Sequence, residues 1–219
     1  MATTLRLLSP LEARVLGVLV EKQHTVTDSY PLSLNTLVLG CNQKTAREPV
    51  INATDAEVLV AIDDLKALAL VIEVSGSRVS RYEHNFKRVL GVPGQSEAIL
   101  TLLMLRGPQT VAELRATTER LHRFADISSV EGFLGELSAR EPPLVVKLPR
   151  AAGAREQRWA HLLCGEVAAP RSIATDDEDF VAAGEIAALK AEQARLSSEV
   201  AALRATVARI ASELGIDPD

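Results

Sequence analysis

A signal for the start of a helix recurs along the chain, and its spacing is the feature that most restricts the fold. The signal is a capping box, in which a Ser or Thr stands three residues before a Glu. We place four such boxes before apolar stripes, beginning at Ser9, Thr54, Thr110 and Ser128. The second and the fourth lie 74 residues apart, and the apolar string 70–72 maps at the same offset onto 144–146. One supersecondary unit copied twice explains both spacings.

The first copy has the pattern of three helices followed by a β-hairpin. Apolar residues at helical spacing predict helices from Pro10 to about Gln23, over 32–39 up to Gly40, and over 55–69, where Val58, Leu59, Ile62, Leu65 and Leu68 form the apolar face. The polar stretch 41–53 contains Pro49 and is predicted to be a loop. The period changes to two in 71–74 and 79–82, on either side of 75–77 (SGS), which indicates a hairpin. This order is typical of a winged helix-turn-helix domain, with the hairpin as the wing.

The second copy repeats the order of the first. Helices are predicted over 95–105, from Thr110 to about Leu121 and over 130–139, and strands over 144–148 and 158–162 form a second wing. The expected fold is therefore mainly α with small β-hairpins, an α+β chain of tandem winged helix-turn-helix domains at 1–92 and 93–168. Trp159 and Phe133 are expected in the core of the second domain.

An acidic linker over 169–183 precedes the strongest periodic signal, a predicted coiled-coil helix over 184–215. Successive apolar residues there are spaced alternately three and four residues apart. β-Branched residues occupy heptad position a and Leu occupies position d, which favours a parallel homodimer. The seam consists of Ile186, Leu189, Gln193, Leu196, Val200, Leu203, Val207, Ile210 and Leu214. The alternative is that this helix packs back on its own domain.

The distribution of charge and the two cysteines indicate the partners and the cellular compartment to expect. The net charge of −5 comes from 171–219, which carries 5 basic and 10 acidic residues, while the residues before it are neutral on balance. Bulk electrostatics therefore give no argument for nucleic acid. No apolar run approaches the length of a membrane span, and the start of the chain lacks a secretory signal. Cys41 and Cys164 stand far apart, which indicates a cytoplasmic protein with two buried thiols.

The sequence carries no recognisable catalytic motif. It has no Gly-rich phosphate loop, no His-x-x-x-His and no nucleophile elbow, and its four histidines are scattered. We therefore expect neither an enzyme nor a bound cofactor or metal.

Several polar strings resemble a known family. They are Tyr30-Pro31-Leu32-Ser33-Leu34-Asn35, Cys41-Asn42-Gln43-Lys44 with Arg47 and Pro49-Val50, Tyr82-Glu83-His84, and Arg120-Leu121-His122 with Phe124. With the opening 8–17 and Glu21-Lys22, these strings are similar to the YceH-like bacterial proteins, over about residues 5–165. The resemblance implies a tandem winged-helix fold and brings no established activity.

Two functions fit these observations. The first is a dimeric DNA-binding transcriptional regulator, in which the third helix enters the major groove and the wing contacts the backbone. Candidate phosphate contacts are Lys44, Arg47, Arg78, Arg81, Lys87, Arg88, Arg150, Arg155 and Arg158, and Asn42 and Gln43 could bond base edges or sugar. The alternative is a protein-protein interaction adapter without DNA binding.

The predicted third helix weighs against DNA. It carries Asp55, Glu57, Asp63 and Asp64 against a single Lys66, and phosphates repel carboxylates. The polar loop could also be a partner site, or a brace in which Asn42, Lys44 and Arg47 satisfy backbone groups.

Overall fold

The computed structural model describes residues 6–74, 79–150 and 155–166. Its helices are α1 (Pro10–Thr25), α2 (Leu34–Cys41), α3 (Asp55–Ala67), α4 (Phe86–Leu90), α5 (Gly94–Arg106), α6 (Val111–Thr117) and α7 (Ile127–Ser138). Its strands are β1 (Leu32–Ser33), β2 (Val71–Val74), β3 (Arg81–His84), β4 (Val145–Lys147) and β5 (Trp159–His161). The chain is thus a mixed α+β structure, and within these ranges no helix is long and apolar enough to cross a membrane.

Three of the four predicted capping boxes are present. Ser9, Thr54 and Thr110 each accept from the backbone N–H three residues on, and the Glu at that position returns the bond. The fourth prediction is wrong, because Asp126 caps α7 instead of Ser128. The Asp126 carboxylate accepts both the N–H and the hydroxyl of Ser129, each at 2.7 Å. A charged acceptor makes the stronger cap, so Ser128 lies inside the helix.

The first sheet corrects the predicted start of the second helix. Its strand order is β1-β3-β2, with all pairs antiparallel. Leu32 pairs with Tyr82, so the segment predicted to be helical from residue 32 begins as a strand. Ser33 then caps α2 by accepting from the Thr36 N–H at 3.4 Å, and α2 continues through Gly40 to Cys41.

The hairpin also starts its return strand later than predicted, at Arg81 instead of residue 79. The short helix α4 directly after it was not predicted, because five residues are too few to show a helical period. The second sheet, β4 paired with β5, lies within the predicted segments. Gln109 extends it by exchanging both backbone hydrogen bonds with Trp159.

The hydrophobic core is built around α1 and α5, which pack on each other. In α5 every residue from Ser96 to Leu105 is buried, and α1 is buried from Glu12 to Val20. The two helices approach closely at Gly17, where a Cβ would lie 2.9 Å from a Leu105 methyl group. The described segments belong to one compact unit, and its first and last parts meet where the Leu8 N–H donates to the Leu163 carbonyl at 2.8 Å.

Some predicted features lie outside the described residues. They are the hairpin tip with Arg78, the acidic linker, the coiled-coil helix and all nine seam residues. The division at 92/93 stays a prediction.

Candidate functional site

Arg47, predicted as a phosphate contact, is buried. Its side chain is 0% exposed and pairs with Glu21 through two bonds of 2.5 and 3.1 Å. It also donates to the carbonyls of Gly40 and Ala46 and to Gln43 Oε1. A phosphate contact needs an exposed guanidinium, so the predicted role of Arg47 does not fit its position. The side chain instead holds the loop after α2 against α1.

A second buried arginine, Arg14, supports the same loop from α1. Its two terminal nitrogens donate to the carbonyls of Cys41 and Pro49 at 3.0 and 2.6 Å. Burial lowers the pKa of Arg14, and the nearby charge of Arg47 lowers it further. Burial raises the pKa of the Cys41 thiol to about 12, so this cysteine is a structural thiol, as predicted. Cys164 is only partly buried, and burial raises its pKa to about 11.

Asn42 closes the loop at its other end. Its amide accepts from the Ala53 N–H at 2.7 Å and donates to the Ala53 carbonyl at 2.8 Å. Between these anchors the Glu48 N–H donates to the Leu105 carbonyl at the end of α5. Asn42 and Arg47 therefore act as a brace, whereas Lys44 is exposed.

The remaining predicted contacts fall into two groups. Arg81 donates to the carbonyls of Ser29 and Pro31, and Arg158 binds Glu113 and the Pro108 carbonyl, so both are held by the protein. The others that are described have exposed side chains: Lys87, Arg88, Arg150 and Arg155.

The solvent face of α3 is acidic and apolar. The helical period places Ala56, Val60, Asp63 and Ala67 along its exposed line, and Val60 is 63% exposed. The helix's lysine, Lys66, is held by Asp63 at 3.4 Å and by Glu73 at 2.5 Å. A helix that reads DNA would present cations or amides here.

A groove lies beside this face, between the first turn of α1 and α3. We call it the α1–α3 groove; its volume is about 360 Å³ and its walls are mostly apolar. It is lined by Ser9, Leu11, Ala56, Glu57, Val60, Ala61 and Asp64. Nearby, Arg6 binds Glu12 through two bonds of 2.7 and 2.9 Å and lowers the pKa of that carboxyl group.

The sequence did not predict this groove, because the groove depends on how α1 packs beside α3, and the prediction that Leu59 lies on the buried face of α3 is wrong. Leu59 is 40% exposed, since it lies 100° around the helix from the buried Val58. The available signal was Val60, an apolar residue that lies outside the predicted apolar face of the helix.

A polar cluster at the end of β3 contains His84, Gln23 and Glu97. Burial lowers the pKa of His84 to about 4, and its Nε2 lies 2.6 Å from Gln23 Oε1. Burial raises the pKa of Glu97, whose Oε1 lies 3.7 Å from His84 Nδ1. Among the described side chains no three of His, Cys, Asp or Glu gather as metal ligands.

The chain is similar to proteins of several bacteria. Residues 8–154 match the family model "Protein of unknown function, DUF480". A UPF0502 protein of Methylibium petroleiphilum is 74% identical over 217 residues, which are 97% of this chain and 92% of the relative. UPF0502 proteins of Burkholderia multivorans and Cupriavidus pinatubonensis are 66% and 64% identical, over 98% of this chain and 92% and 93% of theirs. These matches confirm the resemblance to a bacterial family of unknown function.

Proposed function

Because the chain belongs to the DUF480 family of proteins of unknown function, we propose its function from the geometry of α3 and the groove beside it. The protein is an interaction module whose α1–α3 groove docks a basic, amphipathic segment of another protein. The observation that carries this proposal is the solvent face of α3, where Val60 is exposed among carboxylates.

The proposal assigns the fold as two winged-helix units. The order α1, α2, α3 and hairpin β2–β3 is followed by α5, α6, α7 and hairpin β4–β5, and this repetition supports the assignment. In that frame α3 occupies the position of the helix that reads bases in DNA-binding relatives of the fold. Its acidic and apolar face suits binding to another protein better than binding to the phosphate backbone of DNA.

Charge complementarity defines the partner. Glu57, which also caps α3, and Asp64 line the groove, and Asp63, which also pairs with Lys66, lies one turn from Val60. A helix with apolar residues at i and i+3 or i+4, flanked by Lys or Arg, would place an apolar side chain in the groove and cations beside these carboxylates. Such a partner explains why apolar and acidic residues share this face.

DNA binding is the second candidate function. What favours it is the set of exposed cations outside α3, namely Lys44, Lys87, Arg88, Arg150 and Arg155. Contacts of this kind would be confined to phosphates and would depend steeply on salt.

One titration separates the two functions. A fluorescein-labelled Leu/Lys amphipathic helix, its Leu/Glu counterpart and a random-sequence duplex are each titrated with the full chain at about 50 mM and about 200 mM salt. We expect the Leu/Lys peptide to bind and the other two probes not to bind. Duplex binding without peptide binding would replace the adapter with the DNA-binding function.

Matched variants locate the site. Val60→Lys places a cation in the groove and should weaken peptide binding by at least about tenfold. Leu39→Lys is the control, because Leu39 is equally apolar and 74% exposed but does not line the groove. Equal peptide affinity for the two variants would contradict the proposed surface.

Dimerisation through 184–215 and a cytoplasmic location complete the proposal. The heptad seam and the two cysteines support them. Sedimentation equilibrium of the full chain and of a chain ending at residue 175 should give a dimer and a monomer, respectively. Equal association states would contradict the coiled-coil interface.

A further inference from the structure

A second cavity, separate from the α1–α3 groove, opens where α1, the loop after α2, the end of α5 and β5 meet. Its volume is about 260 Å³, and it shares no lining residue with the groove. Apolar side chains form most of its wall, among them Ala13, Pro49, Leu103, Met104 and Ala160. A cavity of this size and character suits one small, largely apolar molecule.

Arg14 brings a buried charge without a direct ion pair to this wall. The residue is 3% exposed and lines the cavity, and its Nε is buried without a hydrogen-bond partner. Its two terminal nitrogens bond to backbone carbonyls, and among the described carboxylates Glu48 attracts it only from beyond ion-pair distance. The other buried arginine, Arg47, has Glu21 as its counter-ion. A buried cation without a direct ion pair is costly, so an anionic group that enters the cavity beside Arg14 would be stabilised there.

His161 supplies a second buried nitrogen without a partner. It lines the same cavity, and its Nδ1 is inaccessible and makes no hydrogen bond. Burial lowers the pKa of His161 to about 4, so the ring is neutral at neutral pH and keeps one N–H donor and one acceptor nitrogen. Buried polar atoms are almost always paired, so Arg14 and His161 both keep hydrogen-bonding capacity that the protein does not use at this wall.

We propose that this cavity binds a small apolar monocarboxylate of about the size of benzoate, whose carboxylate lies on the side of the cavity that Arg14 lines and whose hydrocarbon body packs against Leu103 and Met104. Glu48 and Glu166 also line the cavity, but both are exposed, so solvent screens their repulsion of one carboxylate beside the buried Arg14; a second carboxylate on the ligand has no such partner and is disfavoured. The inference does not rest on the proposed docking function.

The test is a titration of the glycine-¹⁵N-labelled full chain with benzoate, benzamide and benzylammonium. Gly107 and Gly165 line the cavity, whereas Gly132 and Gly135 on α7 do not. Benzoate should shift the amide signals of the first pair and leave the second pair in place, with a Kd of about 1 mM, the range of a one-ring ligand. Benzamide should bind at least about threefold more weakly, and benzylammonium should not bind.

Three variants assign the recognition to the cavity. Arg14→Met removes the cation and should reduce the affinity for benzoate to that for benzamide. Arg14 also supports the loop, so a second variant is needed that leaves Arg14 in place. Ala160→Met fills the cavity and should abolish the benzoate-induced shift of the Gly107 amide signal. His161→Phe should weaken benzoate, while His122→Phe, which alters a histidine outside the cavity, should leave the affinity unchanged.

The outcomes that overturn the proposal are equally definite. They are no shift at Gly107 or Gly165 with any probe, equal affinity for benzoate and benzylammonium, or benzoate binding that survives Ala160→Met unchanged.

Discussion

Arg47 Nη2 lies 2.5 Å from Glu21 Oε2, and this ion pair joins the loop after α2 to the end of α1. Arg47→Met should lower the free energy of unfolding by about 3 kcal/mol, because it removes the bond to the Gly40 carbonyl and leaves Glu21 with the more distant Lys22, 3.6 Å away. Urea denaturation at neutral pH measures the change. Lys44→Met, three residues earlier and exposed, should stay within about 0.5 kcal/mol of the wild type. Similar losses for both variants would contradict a structural role for Arg47.

Two neighbouring amides should respond differently to replacement by carboxylates. Asn42 Nδ2 donates to the Ala53 carbonyl, so Asn42→Asp places two acceptors face to face and should cost about 2 kcal/mol. Gln43 Oε1 accepts from the Arg47 guanidinium, so Gln43→Glu keeps that bond and should cost less than about 0.5 kcal/mol. Chemical denaturation of the two isosteric variants measures the difference. An equal loss would mean that the Ala53 contacts do not hold the loop.

Gly40 is required by the close packing of α2 on α1. A Cβ at this position would lie 2.6 Å from a Val18 methyl group, so Gly40→Ala should destabilise the fold by about 2 kcal/mol. Gly132 on α7 has open space around a Cβ, and Gly132→Ala should stabilise it by about 0.5–1 kcal/mol through helix propensity. Thermal unfolding of both variants should therefore shift Tm in opposite directions. A rise in Tm for Gly40→Ala would exclude the close contact.

His161 should make the free energy of unfolding depend on pH in the mildly acidic range. Its pKa is about 4 in the folded chain against an ordinary value of 6.5, so the unfolded chain binds more protons between these values. Stability should therefore fall as the pH falls from 6.5 to 4, and His161→Phe should reduce that fall by about 2 kcal/mol. Denaturant titrations at a series of pH values give both profiles. Parallel profiles for the wild type and the variant would refute the shift.

Helix starts were predictable because caps are local. Ser9 and Thr54 satisfy N–H groups only three residues away, and the sequence contains both partners. The same reasoning failed at Ser128, where two oxygen acceptors lay within two residues and the charged one, Asp126, formed the cap. Local signals therefore predict the presence of a helix more reliably than they predict the residue at which it begins.

The candidate sites were less predictable because they depend on tertiary burial. The string around Arg47 has the composition of an exposed basic loop, and only the packing of α1 against it converts the arginine into a brace. The unpaired nitrogens of Arg14 and His161 become neighbours of one cavity through strands and helices nearly 150 residues apart in sequence. No pattern within one segment carries that information.

The mutual packing of α1 and α5 bears on how the chain could be divided. A fragment ending at residue 92 would expose to water the side of α1 that Leu105 and its neighbours cover. Such a fragment would tend to aggregate through that apolar surface. The fragment beginning at residue 93 would expose the complementary apolar face of α5. When the two fragments are co-expressed from separate genes, they should associate and re-form the shared hydrophobic core. The peptide bond between residues 92 and 93 would then not be needed for the two fragments to recognise each other.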